Sequence, residues 1–197
     1  PSIDILCAPF SYQTTEERLA GGTSGCMTAI DSVALHGKLW INEDDMRTHL
    51  IDVKHDLPKW LSEEGFGKQT RDLKETLACL QRNLANGLVH RMGTWWMDLI
   101  GAGAFNEVSL WDMLEKKWKP LYLDILNHPT PYVPDVSLIV DENSRHFIKN
   151  DWDLSFNGLA LLRNDIAKTG ASIGYYFLED FISGLSPSSR VYVFAFH

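Results

Sequence analysis

The sequence predicts an α/β fold built on parallel strands, and three observations lead there. Short apolar runs recur at residues 3–8, 38–42, 92–98, 135–141, 172–178 and 190–196. Segments with helical periodicity separate most of them. Polar, often glycine-bearing stretches follow their C-terminal ends. Strand and helix in alternation imply parallel strands joined by right-handed crossovers.

The elements follow in order. Ile3 to Ala8 reads as a short buried strand that breaks at Pro9, and a polar loop with glycines runs from Ser11 to about Gly25. A helix is expected from Met27 to Leu35, with Ile30, Val33 and Ala34 on its apolar face and Gly37 placed to cap its C-terminus. The strand 38–42 comes next, and then a long polar loop from His49 to Gln69. Loops longer than about 15 residues are usually functional or mobile. Leu73, Leu77, Leu80, Leu84 and Leu88 share one helical face, with Thr70 as the expected N-cap and Asp72 and Glu75 in the first turn. Met92 to Asp98 is a strand that ends in an acid and breaks into Gly101-Ala-Gly103.

An amphipathic helix over 107–118 carries Trp111, Leu114 and Trp118 on one face. Three prolines between Asn127 and Pro134 mark an extended linker. Beyond it the pattern is again β-α-β-α-β: strand 135–141, helix 155–168, strand 172–178, a helical turn at 179–183 and strand 190–196. Two units are therefore expected, 1–126 and 127–197. The first starts in mid-pattern and the second stops at its third strand, so the chain reads as a piece of something longer.

Composition narrows the partners. With 197 residues the chain can bury a sizeable core, and its 45% hydrophobic and 22% charged content is ordinary for a globular protein. A formal net charge of −8 argues against a nucleic-acid surface. No apolar run approaches the roughly 18 residues a membrane span needs, and no signal peptide is visible. Three cysteines, Cys7, Cys26 and Cys79, are too few and too scattered for a disulfide framework or a zinc site, and read as buried thiols in a reducing, cytoplasmic setting. The histidines have no metal spacing, and Gly101-Ala-Gly103 lacks the third glycine of a dinucleotide loop. No metal or cofactor is expected.

The chemistry concentrates at Gly37 to Met46. Leu39, Trp40 and Ile41 run into Asn42 and three acids, Glu43, Asp44 and Asp45. Buried strands in α/β proteins deliver catalytic groups at their C-terminal ends. A glycosidase needs a carboxylate held rigidly beside the anomeric carbon, with a second carboxyl as acid and base. The same run also reads as a solvated acidic loop in which Arg47 pairs with Asp44 or Glu43. Trp95, Trp96 and Asp98 form a second group. Neighbouring strand residues face opposite ways, so one indole would meet a sugar and the other the core, and Asp98 could bind hydroxyls. Tyr12 and Gln13, just past the first strand, could line the same pocket.

The segments Ile3 to Tyr12, Ala34 to Glu43 and His90 to Asp98, in that order, resemble the last third of the catalytic (β/α)8 TIM barrel of family 42-like β-galactosidases. Tyr132 to Asp141, with the βαβ unit after it, resembles the start of that family's flavodoxin-like trimerisation domain. The resemblance covers nearly the whole chain. It implies a retaining glycoside hydrolase with Glu43, ending the seventh barrel strand, as nucleophile. It also implies a carbohydrate substrate, a homo-oligomer of the trimeric kind, and Tyr12, Trp95, Trp96 and Asp98 around the sugar. The acid/base glutamate of such enzymes ends the fourth strand and has no counterpart here, so residues 1–197 alone should be inactive. Two other readings stay open. One is a non-catalytic carbohydrate-binding or oligomerisation module. The other is an amidotransferase-like domain at 132–197, weakened because no cysteine follows a strand there.

Overall fold

In a computed structural model of the chain, residues 2–12, 15–52, 55, 68–99, 101–147 and 156–195 are described. They form a mixed α/β structure with two three-stranded parallel sheets. The first contains β1 (Ile5–Pro9), β2 (Leu39–Asp44) and β3 (Gly93–Trp96) in the order β1-β2-β3. The second contains β4 (Val136–Val140), β5 (Ile173–Phe177) and β6 (Val191–Ala195), with β4 in the middle. Most of the long loop expected at 49–69 lies outside the described residues, as do Gln13 and the first residue of the predicted 155–168 helix.

Helix α1 (Ile30–Leu35) is shorter than the predicted 27–35. Its end is as expected: Gly37 has φ +66°, its N–H donates to Ala34, and the Lys38 N–H donates to Val33. That double closure needs a left-handed residue, which glycine adopts without a Cβ penalty. Helix α2 (Leu73–Val89) starts from Asp72, whose side chain accepts from the Glu75 N–H at 2.8 Å. Thr70 is not the cap. It is buried, and its hydroxyl lies 2.6 Å from that of Thr76. The C-terminus of α2 closes in the same way as that of α1, but with Arg91 in the left-handed position, φ +56°.

The most buried seam of α2 is Thr76, Leu80, Asn83 and Gly87, and Leu73, Leu77 and Leu88 are only partly buried beside it. A Cβ at Gly87 would sit 2.6 Å from the Tyr122 hydroxyl, so a larger residue there would have to displace that ring. The predicted helix at 107–118 is observed as α3 (Val108–Met113), followed by a π-helical stretch, Leu114–Trp118, and then α4 (Lys119–Asn127). The second unit adds α5 (Leu162–Lys168), entered through a π-helical stretch, Phe156–Leu161, and the short α6 (Leu178–Ile182). No helix among the described residues is long and apolar enough to cross a membrane.

The two sheets meet through α1. β5 is an edge strand among the described residues, and α1 side chains take two of its outward N–H groups. Asp31 accepts from the Tyr175 N–H and Ser32 from the Phe177 N–H, both at 2.8 Å. Covering an edge with side-chain acceptors satisfies its backbone and blocks pairing with another chain. Asp31 also takes the His90 ring nitrogen Nδ1 at 2.9 Å, and His36 pairs with Asp180 at 2.8 Å. The Tyr175 ring packs on the core of the first unit, against a cluster of Phe10, Cys26, Ile30, Val33, Trp40 and Met92.

Candidate functional site

Strand β2 places its acids on two faces. Trp40, Asn42 and Asp44 alternate as buried residues, while Leu39, Ile41 and Glu43 take the other side. On the buried side, the Trp40 indole donates to the Asn42 Oδ1 at 2.9 Å, and the Asn42 amide points at Cys26 and Met92 sulfurs, 3.4 and 3.5 Å away. Asp44 is wholly inaccessible. It accepts from the Asn83 amide at 2.8 Å and from the Met46 N–H at 3.3 Å. Burial pushes the Asp44 carboxyl up, with the Asn83 bond opposing.

Glu43 sits on the opposite, open face, half-buried, in register with Pro9 on β1 and Trp95 on β3. Trp95 shares that face and is 49% exposed. Cys7 lies there too and is exposed, contrary to the expectation of a buried thiol. Its strand position, two residues before Pro9, puts it on the uncovered side of the sheet. Cys26 and Cys79 are buried, and burial pushes the Cys26 thiol up to about 12, so it stays protonated and inert.

Asp45 is buried and held by two partners, the Arg18 guanidinium and the Tyr12 hydroxyl. Arg18 also lies over the Tyr12 ring, 4.7 Å from its centroid. Burial works against the Arg18 charge, but Asp45, helped by Asp44 and Tyr12, outweighs it and raises the guanidinium above its usual value. Burial and then the Asp45 bond push the Tyr12 phenol up. Burial and the Asp45 charge likewise push the Glu43 carboxyl up, while Arg18 pulls it down.

The acidic run is therefore not a solvated loop, and Arg47 is not its local partner. Arg47 is buried with its Nε unbonded, whereas Arg18, 27 positions from Asp45, makes the ion pair. Trp96 faces the helices, its ring stacked on Phe105 with centroids 5.4 Å apart and set edge-on to Trp111. That is the indole of the pair that meets the core. Asp98 turns its carboxylate onto the N–H groups of Ala102, Gly103 and Ala104, at 3.1, 2.7 and 3.2 Å. Three backbone donors tie it to the turn after β3. Tyr12 meets Asp45 and Arg18, Glu43 lies within reach of their charges and in register with Trp95, and Gln13 falls outside the described residues.

Arg18 and Asn83 are the site residues that pattern reading passes over. A polar Asn83 on the apolar seam of α2 is a legible signal of a buried partner. Arg18 gives none, because it sits in a polar loop that looks solvated. Comparison with protein families, curated proteins and solved structures returned no match.

Proposed function

We propose that this chain supplies the nucleophile half of a retaining, β-galactosidase-like glycoside hydrolase, with Glu43 as nucleophile. The observation that carries the reading is the position of Glu43. It stands at the C-terminal end of the central strand of a parallel sheet, on the open face, beside an exposed indole. A rigid strand end holds a carboxylate in place better than a loop does. An indole next to it offers a flat apolar platform for a pyranose ring, with Tyr12 at the same end of the sheet.

The fold supports this in two ways. Sequential parallel order in the first sheet, with exposed Ile5, Leu39 and Trp95 on its uncovered face, fits three neighbouring strands of a (β/α)8 barrel whose interior other strands would fill. The order β5-β4-β6 in the second sheet is the order in which a flavodoxin-like domain begins. A nucleophile must be ionised, and Arg18 is the group that favours the charged form of Glu43. The acid/base carboxyl would come from a strand outside residues 1–197, and the second unit would serve homo-oligomer assembly.

The test uses the protein with a complete barrel. A 2-deoxy-2-fluoro-β-galactoside should label Glu43 covalently, and Glu43→Gln should abolish both labelling and aryl β-galactoside hydrolysis. Wild-type turnover by Glu43→Gln would sink the assignment. A second reading, a non-catalytic carbohydrate-binding module, is favoured by one observation. Asp45, the acid beside Glu43, is committed to Arg18 and Tyr12. Galactose quenching of Trp95 fluorescence without any hydrolysis in the complete protein would favour that module.

A further inference from the structure

The loop that carries Arg18 is fastened to the second unit. Glu17, next to Arg18, is 4% exposed and pairs with Arg163 of α5 at 3.4 Å. The Asn164 side chain amide donates to the other Glu17 oxygen, and its carbonyl accepts from the Thr23 hydroxyl at 3.0 Å. Arg163 Nη1 donates to the Cys26 carbonyl at 2.6 Å. Its guanidinium lies flat against Gly25, where a Cβ would sit 2.3 Å from Nε. From the first unit, Arg82 donates to the carbonyls of Arg18, Leu19 and Gly22, at 2.7 to 3.0 Å. The two arginines hold the loop between them.

We propose that Arg163 and Asn164 are positioning residues for the Glu43 site: by clamping the 15–26 loop to α5 they hold the Arg18 guanidinium on Asp45 and over Tyr12, so a complete site requires the second sheet docked on the first. This goes beyond the glycosidase reading, because it concerns the geometry of the acids whatever they act on. Glu17 and Arg18 are consecutive residues at the end of one short helical turn, Thr15–Glu17. Moving Glu17 off α5 therefore moves the backbone from which Arg18 reaches Asp45. Two buried ion pairs, Glu17–Arg163 and Arg18–Asp45, share that backbone. Losing one member of either leaves a buried charge uncompensated.

The readout is the carboxyl ¹³C titration of Glu43, assigned with Glu43→Gln. Among the described residues, the groups that face Glu43 are Cys7 from β1, Tyr12 and Arg18 from the loop after it, and Asp45 from the end of β2, with uncharged Trp95 from β3. Arg18→Met should raise the Glu43 midpoint, because the guanidinium is the group that pulls it down. Arg163→Met and Asn164→Ser should each move it in the same direction by less, and Arg163→Met should add nothing once Arg18→Met is present. Asn164→Ser leaves no charge unpaired, so it decides the matter if Arg163→Met does not fold. Amide exchange at Ser24, whose N–H is bonded to the Glu17 carbonyl, reports the clamp itself. Faster exchange there with an unmoved Glu43 midpoint, or additive shifts in the double variant, would overturn the proposal. None of these measurements uses hydrolysis, so failure of the glycosidase reading and failure of this one are separable.

Discussion

At the end of β2, Glu43, Asp44 and Asp45 are gathered under Arg18, Tyr12 and Asn83, and two of the three are buried. At the end of β4, Asp141 and Glu142 follow an apolar strand too, and the bonds seen there among the described residues are of another kind. Asp141 accepts from the N–H groups of Asn143 and Ser144, at 3.1 and 3.2 Å, and Glu142 is exposed. Both places are parallel strands running into acids. The difference is the chain that folds back over them. A loop pinned by Arg82 and Arg163 brings a cation over β2, whereas the bonds Asp141 accepts from Asn143 and Ser144 come from its own turn. Acids at a strand end thus become a candidate site only where distant residues desolvate and pair them.

The largest effect expected from breaking this contrast is at the ion pair. Arg18→Met should cost about 3–5 kcal/mol in urea unfolding, because it leaves Asp45 buried and unpaired. A loss below about 1 kcal/mol would mean that Asp45 is not held as described. The two indoles of β3 sharpen the comparison of faces. Trp96→Ala should cost about 3 kcal/mol through its lost packing on Phe105 and Trp111, and Trp95→Ala should cost under about 1 kcal/mol. Equal costs would contradict the two-faced arrangement.

Next comes pH. Asp44 has its folded pKa raised by burial, so the folded state binds its proton more tightly than the unfolded chain does. Its contribution to stability is full below the ordinary carboxylate range and falls as pH rises through the raised folded value. Asp44→Asn keeps an acceptor for Asn83 and removes the titration, so stability against pH should lose that downward component. A pH series of urea midpoints checks it, and an unchanged slope would count against a buried, upshifted Asp44. A small effect is expected at β4. Asp141→Ala should cost about 1 kcal/mol, the usual price of a lost turn cap, and leave the Glu43 titration untouched.

Much of the fold was legible in the residues themselves. The leucine spacing located α2, Gly37 marked the end of α1, and each apolar run became a strand within about two residues of its predicted bounds. Thr70 and Asp72 are both good capping residues, and only the bond from the Glu75 N–H singles out Asp72 as the N-cap of α2. At the site, alternation sends Trp95 and Trp96 to opposite faces, but which of them shares a face with Glu43 is set by the register of β2 and β3. The burial of Asp44 and Asp45 was not legible either, and neither was the commitment of Asp98 to its turn.

The sequence by itself determined where the strands and most helices run, and that the strands are parallel. Those follow from periodicities of 2 and 3.6 and from cap residues, which act over a few positions. Only the tertiary structure decided that Arg18 rather than Arg47 answers Asp45, that α1 caps the edge of β5, and that α5 grips the loop beside the acids. Each of these joins residues 27 to 147 positions apart. Such pairs are chosen by which surfaces the packed elements bring together, and no local pattern encodes that choice.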